Sequence, residues 1–396
     1  MEVVLHCIHK KKAPILHFNA THRNPTKPMD IQSLFHQFEA AGQYLSGGPL
    51  GAGHINESFL VRTLSPSEPD YVLQKINHAI FKNVDQLQEN ICRVTNHIRE
   101  KLKAQGVDHL ENRVLRLVPA KGGKWYYRAD DGSYWRLMIL IPDCISYNDS
   151  ITPELAHAAG KAFGDFQSML ADLPGEPLHE TIPNFHNMES RLATFREAVK
   201  NNKAGRLTKV QYMVDEIEKR AFEMCKAEQM HREGILPKRI NHCDTKVNNV
   251  LFDHNGEVLC VVDLDTVMPG YVLSDFGDFM RTGANTGAED DADLSKIFIN
   301  LAIFEAYTEG YLATASSFLT STETDHLAFG AKLLTYMQTV RFFADYLDGD
   351  TYYKIHHPEH NWQRTLAQFA LLTSMEKHFH EMCFIVERAK KKFAKA

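Results

Sequence analysis

The chain has 396 residues, 44% of them hydrophobic and 24% charged, with a formal net charge of −6. That composition fits an ordinary globular protein with one large core or two lobes, and the acidic balance argues against nucleic acid as a partner, since binding a phosphate backbone needs a basic surface. The seven cysteines are scattered and odd in number, without a C-x-x-C pair, no apolar run reaches the roughly 18 residues of a membrane span, and the N-terminus lacks signal-peptide order, so a cytoplasmic protein acting on small molecules is expected.

Residues 1–28 are rich in His, Lys and Pro without periodicity and read as a disordered extension, with Met29 beginning the functional fold. From Asp30, the apolar positions Ile31, Leu34, Phe35 and Phe38 follow helical spacing. A glycine-rich turn, Gly47 to Gly53, comes next, and its backbone would approach nucleotide phosphates wherever glycine removes the side-chain obstruction. Ser58–Leu64 and Tyr71–Asn77 form a candidate hairpin, followed by a long helix whose apolar face carries Val84, Leu87, Ile91, Val94, Ile98 and Leu102. Lys124–Arg128 and Tyr134–Ile141 are two further strands joined through Asp130-Asp131-Gly132, and Pro142-Asp143 breaks the pattern. From Ile151 the chain is mostly helical, except for short strands at Val250–Phe252 and Leu259–Val262 around Asn255-Gly256. Lys390-Lys391-Lys392 reads as a solvated helix end. The expected fold class is therefore α+β: a small sheet-rich lobe over 29–142 precedes a larger, mainly helical one over 143–396.

The chemistry concentrates in Asn241-His242-Cys243-Asp244-Thr245-Lys246-Val247-Asn248-Asn249, with Asp263-Leu264-Asp265 fourteen residues further on. The spacing His-x-Asp-x-x-x-x-Asn places one carboxylate, Asp244, to take the proton of an attacking hydroxyl and one amide, Asn249, to hold a metal. Asp263, at the end of an apolar strand, completes an oxygen-donor pair suited to Mg²⁺. His242 reads as a brace for the loop, because the proton acceptor is already supplied. Asp275-Phe276-Gly277 spells a rival metal triplet, but it lies thirty-one residues after Asp244 against nineteen for Asp263, so Asp275 is taken as structural. Asp265 is either a substrate-side group or simply exposed. Lys75, on the second hairpin strand, is the candidate phosphate contact, and its carboxylate partner is unassigned.

These motifs resemble the aminoglycoside phosphotransferase and choline kinase superfamily, and more closely the bacterial N-acetylhexosamine 1-kinases. The resemblance runs from about Gly51 to the C-terminal helix and is carried by Gly53-His54-Ile55-Asn56, Tyr71 to Asn77, Ala162 to Gln167, His242 to Asn249, Asp263 to Gly270, Asp275 to Asp278 and Arg341 to Leu347. It implies a bilobal protein-kinase-like fold, ATP with Mg²⁺, and phosphoryl transfer to the anomeric hydroxyl of N-acetylglucosamine or N-acetylgalactosamine to give an α-sugar 1-phosphate. Carried over by position, Asp244 is the base, Asn249 and Asp263 are metal ligands, and Lys75 with Gly51 and Gly53 serves the nucleotide. His54, Asp265, Arg341 and Tyr352 fall on the sugar side. Lys75 departs from the arginine often found there, which keeps the charge and loses bidentate geometry. The competing readings are a kinase for another sugar or an amino alcohol, and a nucleotide-binding pseudokinase; oligomeric state is left open.

Overall fold

The computed structural model describes residues 30–51, 55–148 and 151–393. The expected extension at 1–28, its start at Met29, and Gly53 and His54 lie outside the described residues. The described chain divides into two compact units: residues up to Tyr147 together with Leu251–Val262, and Asn148–Val250 together with the chain from Asp263 onward. The fold is α+β, with a small antiparallel sheet on the N-terminal side and a larger helical part on the C-terminal side.

In the first unit, α1 (Ile31–Phe35) is followed by β1 (Tyr44–Pro49), β2 (Glu57–Thr63), β3 (Tyr71–Ile76), α2 (Val84–Ala104), β4 (Leu117–Val118), β5 (Tyr127–Arg128) and β6 (Tyr134–Ile139). The sheet order is β1-β2-β3-β6-β4, with β5 also on β6. Alternation builds its core: Tyr71 and Leu73 of β3 and Trp135 and Leu137 of β6 are buried against Phe35, Phe38 and Val61. Asn83 caps α2 by accepting from Gln86 N–H.

One sequence expectation is corrected here. Gly47, Gly48 and Pro49 are not part of a turn; they pair with Val61, Leu60 and Phe59 as the edge strand β1. Weak strand formers hide such a strand, yet an edge tolerates proline. Gly47 is needed for packing, since a Cβ there would lie 2.7 Å from Ile31 Cγ2 of α1. Of the glycines proposed to face phosphate, Gly51 is described and has a left-handed φ of 66°.

The second unit begins with α3 (Pro153–Leu170), α4 (Met188–Asn201), α5 (Leu207–Met224), α6 (Lys226–Arg232) and β7 (Arg239–Asn241). The chain then runs through β8 (Val250–Phe252) and β9 (Val258–Val261), whose ribbon belongs to the first unit and packs Leu251, Leu259 and Cys260 against Ile141 and Cys144. It continues as β10 (Met268–Gly270), α7 (Val272–Gly283), α8 (Leu301–Ala315), α9 (Ser321–Asp325), α10 (Leu327–Asp348), α11 (His360–Lys377) and α12 (Phe379–Phe393). β10 pairs antiparallel with β7, Met268 opposite Asn241. Helix α10 is buried on nearly every side, which is why it shows no polar face in sequence. Its backbone meets that of α7 directly: a Cβ on Gly277 would land on Gly330 O. Among the described residues no helix is long and apolar enough to cross a membrane.

Glu228 of α6 is buried, one oxygen accepts Met188 N–H at 2.6 Å, and Oε2 has no partner among the described residues. Burial pushes its carboxyl up to about 7 from an ordinary 4.5. The folded state thus binds this proton more tightly than the unfolded chain, and stability falls as pH rises from about 4.5 to 7. Glu228→Gln keeps the acceptor and abolishes the ionisation. Urea unfolding should find the variant more stable than wild type by about 1–3 kcal/mol at pH 8, the two converging below pH 5; parallel curves at both pH values would refute the assignment.

Candidate active site

The loop from His242 to Lys246 leaves the buried end of β7, and α7 holds it in place. Asp275, in the first turn of α7, accepts His242 N–H at 2.7 Å and Cys243 N–H at 2.8 Å, and Gln167 of α3 donates to the same carboxylate at 2.8 Å. Gln167 is itself fixed by the Tyr311 hydroxyl of α8. Asp278, one turn along α7, accepts Thr245 N–H at 3.0 Å, and Thr245 Oγ1 donates to Asp275 O at 2.6 Å. His242 is enclosed by Phe163 and Phe166, its carbonyl accepts from Thr266 Oγ1, and its Nδ1 accepts Asp244 N–H at 3.3 Å. Cys243 takes a left-handed φ of 63° within this arrangement. Buried backbone donors need such partners, so the loop is locked by carboxylates more than thirty residues downstream.

Asp244 is thereby presented with two partners. Asn249 Nδ2 donates to its Oδ2 at 3.1 Å and to its carbonyl at 2.7 Å, and Lys246 Nζ lies 3.2 Å from its Oδ1. Burial opposes ionisation of Asp244, but Lys246 and then His242 together hold the carboxyl below its ordinary value, so it is a carboxylate at neutral pH. Asp244 in turn raises Lys246 against its own burial, with Asp278 and Glu289 adding to the effect. Arg281 completes the ionic cluster by bonding Asp278 at 2.9 Å and pairing with Glu289. Lys246, Arg281 and Glu289 were not picked out from sequence. Lys246 stood inside the motif, and Asp278 with Arg281 had helical i,i+3 spacing, but nothing in spacing signals Glu289.

Asn249 and Asp263 were assigned to a metal, and the donor chemistry fits. With its nitrogen committed to Asp244, Asn249 presents its amide oxygen; Asp263, at a left-handed φ of 59°, supplies a carboxylate where the chain turns after β9. No group of three or more His, Cys, Asp or Glu among the described residues could hold a metal by itself. A Mg²⁺ that keeps waters and bridges phosphates needs only one or two protein oxygens.

On the proposed acceptor side, Arg341 of α10 and Tyr352 come together. The Arg341 guanidinium lies 6.0 Å from the Tyr352 ring, 5.6 Å from Tyr353 and 5.1 Å from Phe185, and Arg341 bonds Gln338. Asp345 organises the tyrosine loop by accepting from the backbone N–H of Thr351, Tyr352 and Tyr353. Asp265 is buried, which removes the reading that it is simply exposed, and its carbonyl accepts from Thr181 Oγ1. Sequence reasoning missed His186, in the segment entering α4, and Arg191, in the first turn of α4. His186 stacks on Phe185 at 4.5 Å, and Arg191 holds Phe185 O with two hydrogen bonds. Burial first, then Arg341, Arg191 and Arg281, keep the His186 imidazole well below its ordinary value and therefore neutral, with Asp244 opposing.

In the first unit, Lys75 stands opposite Glu57 on β2, Nζ 4.0 Å from Oε1, with the Trp135 ring 6.0 Å away. Glu57 of the neighbouring strand is thus the carboxylate beside Lys75, at the outer limit of an ion pair.

A sequence profile described as "Phosphotransferase enzyme family" matches residues 46–311. Among solved structures, the fold is similar to an aminoglycoside phosphotransferase from Alicyclobacillus acidocaldarius, with a TM-score of 0.58 at 13% identity over 92% of this chain and 98% of that one. It is also similar to a choline kinase from Cryptosporidium parvum, TM-score 0.53 at 10% identity over 87% and 92%. A Plasmodium vivax ethanolamine kinase matches with a TM-score of 0.52 at 13% identity over 82% of each chain.

Proposed function

We propose that this chain, which belongs to the phosphotransferase enzyme family, is an ATP- and Mg²⁺-dependent kinase that phosphorylates the anomeric hydroxyl of an N-acetylhexosamine, N-acetylglucosamine or N-acetylgalactosamine, to give the α-1-phosphate. The observation that carries the phosphotransferase reading is the ionised Asp244, fixed between Lys246 and Asn249 on a loop locked by Asp275. In that role Asp244 orients the acceptor hydroxyl and takes its proton as the new O–P bond forms and the bond to the nucleotide leaving oxygen breaks. An anomeric hydroxyl is more acidic than an ordinary alcohol, so a carboxylate of depressed basicity serves. Mg²⁺, held by Asn249 and Asp263, would neutralise phosphate charge when bound.

The electrostatics favour a neutral acceptor over an amino alcohol. Arg341 and Arg191 act on the site of His186 close to Asp244, whereas Arg281 is already paired with Asp278 and Glu289, and a cationic acceptor entering there meets the two remaining like charges. A neutral polyol meets directional donors instead. The test is phosphorus NMR of the full chain with ATP, Mg²⁺ and either sugar. A new sugar 1-phosphate resonance coupled to the anomeric proton is expected; ATP with slow hydrolysis alone would overturn the acceptor assignment.

A further inference from the structure

Beside the catalytic loop, the segment entering α4, strand β10 and the first turn of α7 line a half-open cavity of about 60 Å³. Phe185, His186, Cys243, Met268, Tyr271 and Ser274 form its walls. That is several times the roughly 10–15 Å³ that one water requires. Two of these residues carry buried polar atoms without a hydrogen-bond partner among the described residues, His186 Nδ1 and Ser274 Oγ. Buried polar atoms are nearly always paired, so two orphans around one cavity point to an occupant that supplies an acceptor and a donor. The remaining lining combines aromatic, thioether and thiol side chains with Asn184, Asn187 and the Pro269-Gly270 segment, and Lys238 and Glu180 neutralise each other at 3.3 Å. The occupant is therefore small, neutral and partly apolar.

Its place relative to the chemistry narrows this further. Cys243 directly precedes Asp244 in the chain, and Phe185 is shared with Arg341. A substituent on the carbon next to the reacting one must lie beside the base. Resting on the acceptor proposed above, we infer that this cavity is the subsite for the acyl-amide group on the carbon adjacent to the phosphorylated centre, its N–H donating to His186 Nδ1, its carbonyl accepting from Ser274 Oγ–H, and its methyl lying among Met268 and Cys243. A neutral imidazole with its hydrogen on Nε2 has the acceptor this requires.

Ser274→Ala in the full chain tests the assignment with N-acetylglucosamine and glucose as paired acceptors. The substitution deletes a desolvated hydroxyl, so the thermal midpoint of the free protein should not fall. The KM for N-acetylglucosamine should rise about fivefold to tenfold, as for loss of one hydrogen bond, with kcat and the KM for glucose within twofold of wild type. His186→Phe, which preserves the stacking on Phe185, should shift the same ratio in the same direction. With methyl-labelled methionine, N-acetylglucosamine should move the Met268 resonance, assigned through Met268→Leu, and glucose should leave it in place. Equal effects on both sugars, or none, would overturn the subsite while leaving the kinase reading intact. Wild-type protein that neither binds nor phosphorylates either sugar would overturn the acceptor reading and this proposal together.

Discussion

Asp244→Asn is expected to lower turnover by about 10²–10⁴-fold, the range of a general base, while nucleotide affinity stays near that of wild type. Asparagine preserves the shape and the oxygen that accepts from Asn249, so the loop keeps its Asp275 and Asp278 anchors. What is lost is the proton acceptor and the charge opposite Lys246. Lys246 retains Asp278 and Glu289 as charge partners, which limits the structural damage. Single-turnover transfer and calorimetric ATP binding separate the two effects; wild-type turnover in the variant would remove Asp244 from the role. The pH profile gives an independent check. A base must be deprotonated to act, and because Lys246 and His242 hold Asp244 below its ordinary value, the acid limb of kcat/KM should fall below the usual carboxylate range. Lys246→Met should move that limb upward, a shift that a merely structural lysine would not produce.

The contrast between Asp244 and its surroundings shows what the chain reveals on its own. Asp244 and the amide it bonds five residues later are local, so their spacing was legible, as were the β2–β3 hairpin and the apolar face of α2, where period-2 and period-3.6 patterns each bury one side. Strand β1 was not, because its Gly-Gly-Pro composition is that of a turn and its strand character comes from register with β2. Nor was the neutral His186, whose state is set by arginines from α4, α7 and α10 that no periodicity brings together. Arg341 and Tyr352 could be placed on the acceptor side only through resemblance, since a lone arginine on a helix and a lone tyrosine in a loop carry no signal of their contact. The carboxylate beside Lys75 was left unassigned because it depends on strand register, which sets Glu57 opposite Lys75.

Asp275→Ala is expected to destabilise the protein by about 3 kcal/mol or more, because it strips a shared acceptor from three buried donors, each costing about 1–3 kcal/mol when left unpaired. Those donors are His242 N–H, Cys243 N–H and Gln167 Nε2. The triplet Asp275-Phe276-Gly277 has the spelling of a metal-binding element, so the two roles must be told apart by measurement. Both Asp275 oxygens are committed to the loop from His242 to Lys246 and to α3, and Asp263 stands separately where the chain turns after β9. Urea unfolding of the variant should therefore show a lowered midpoint, and the fraction folded at low temperature should still bind ATP with an unchanged Mg²⁺ midpoint. Asp263→Asn, which keeps a residue tolerant of the left-handed backbone at this position, should do the reverse, raising the Mg²⁺ requirement with little effect on the urea midpoint. If instead Asp275→Ala weakens the Mg²⁺ dependence and leaves unfolding untouched, the two aspartates exchange roles: the metal belongs to α7, and the lock on the catalytic loop must be found elsewhere.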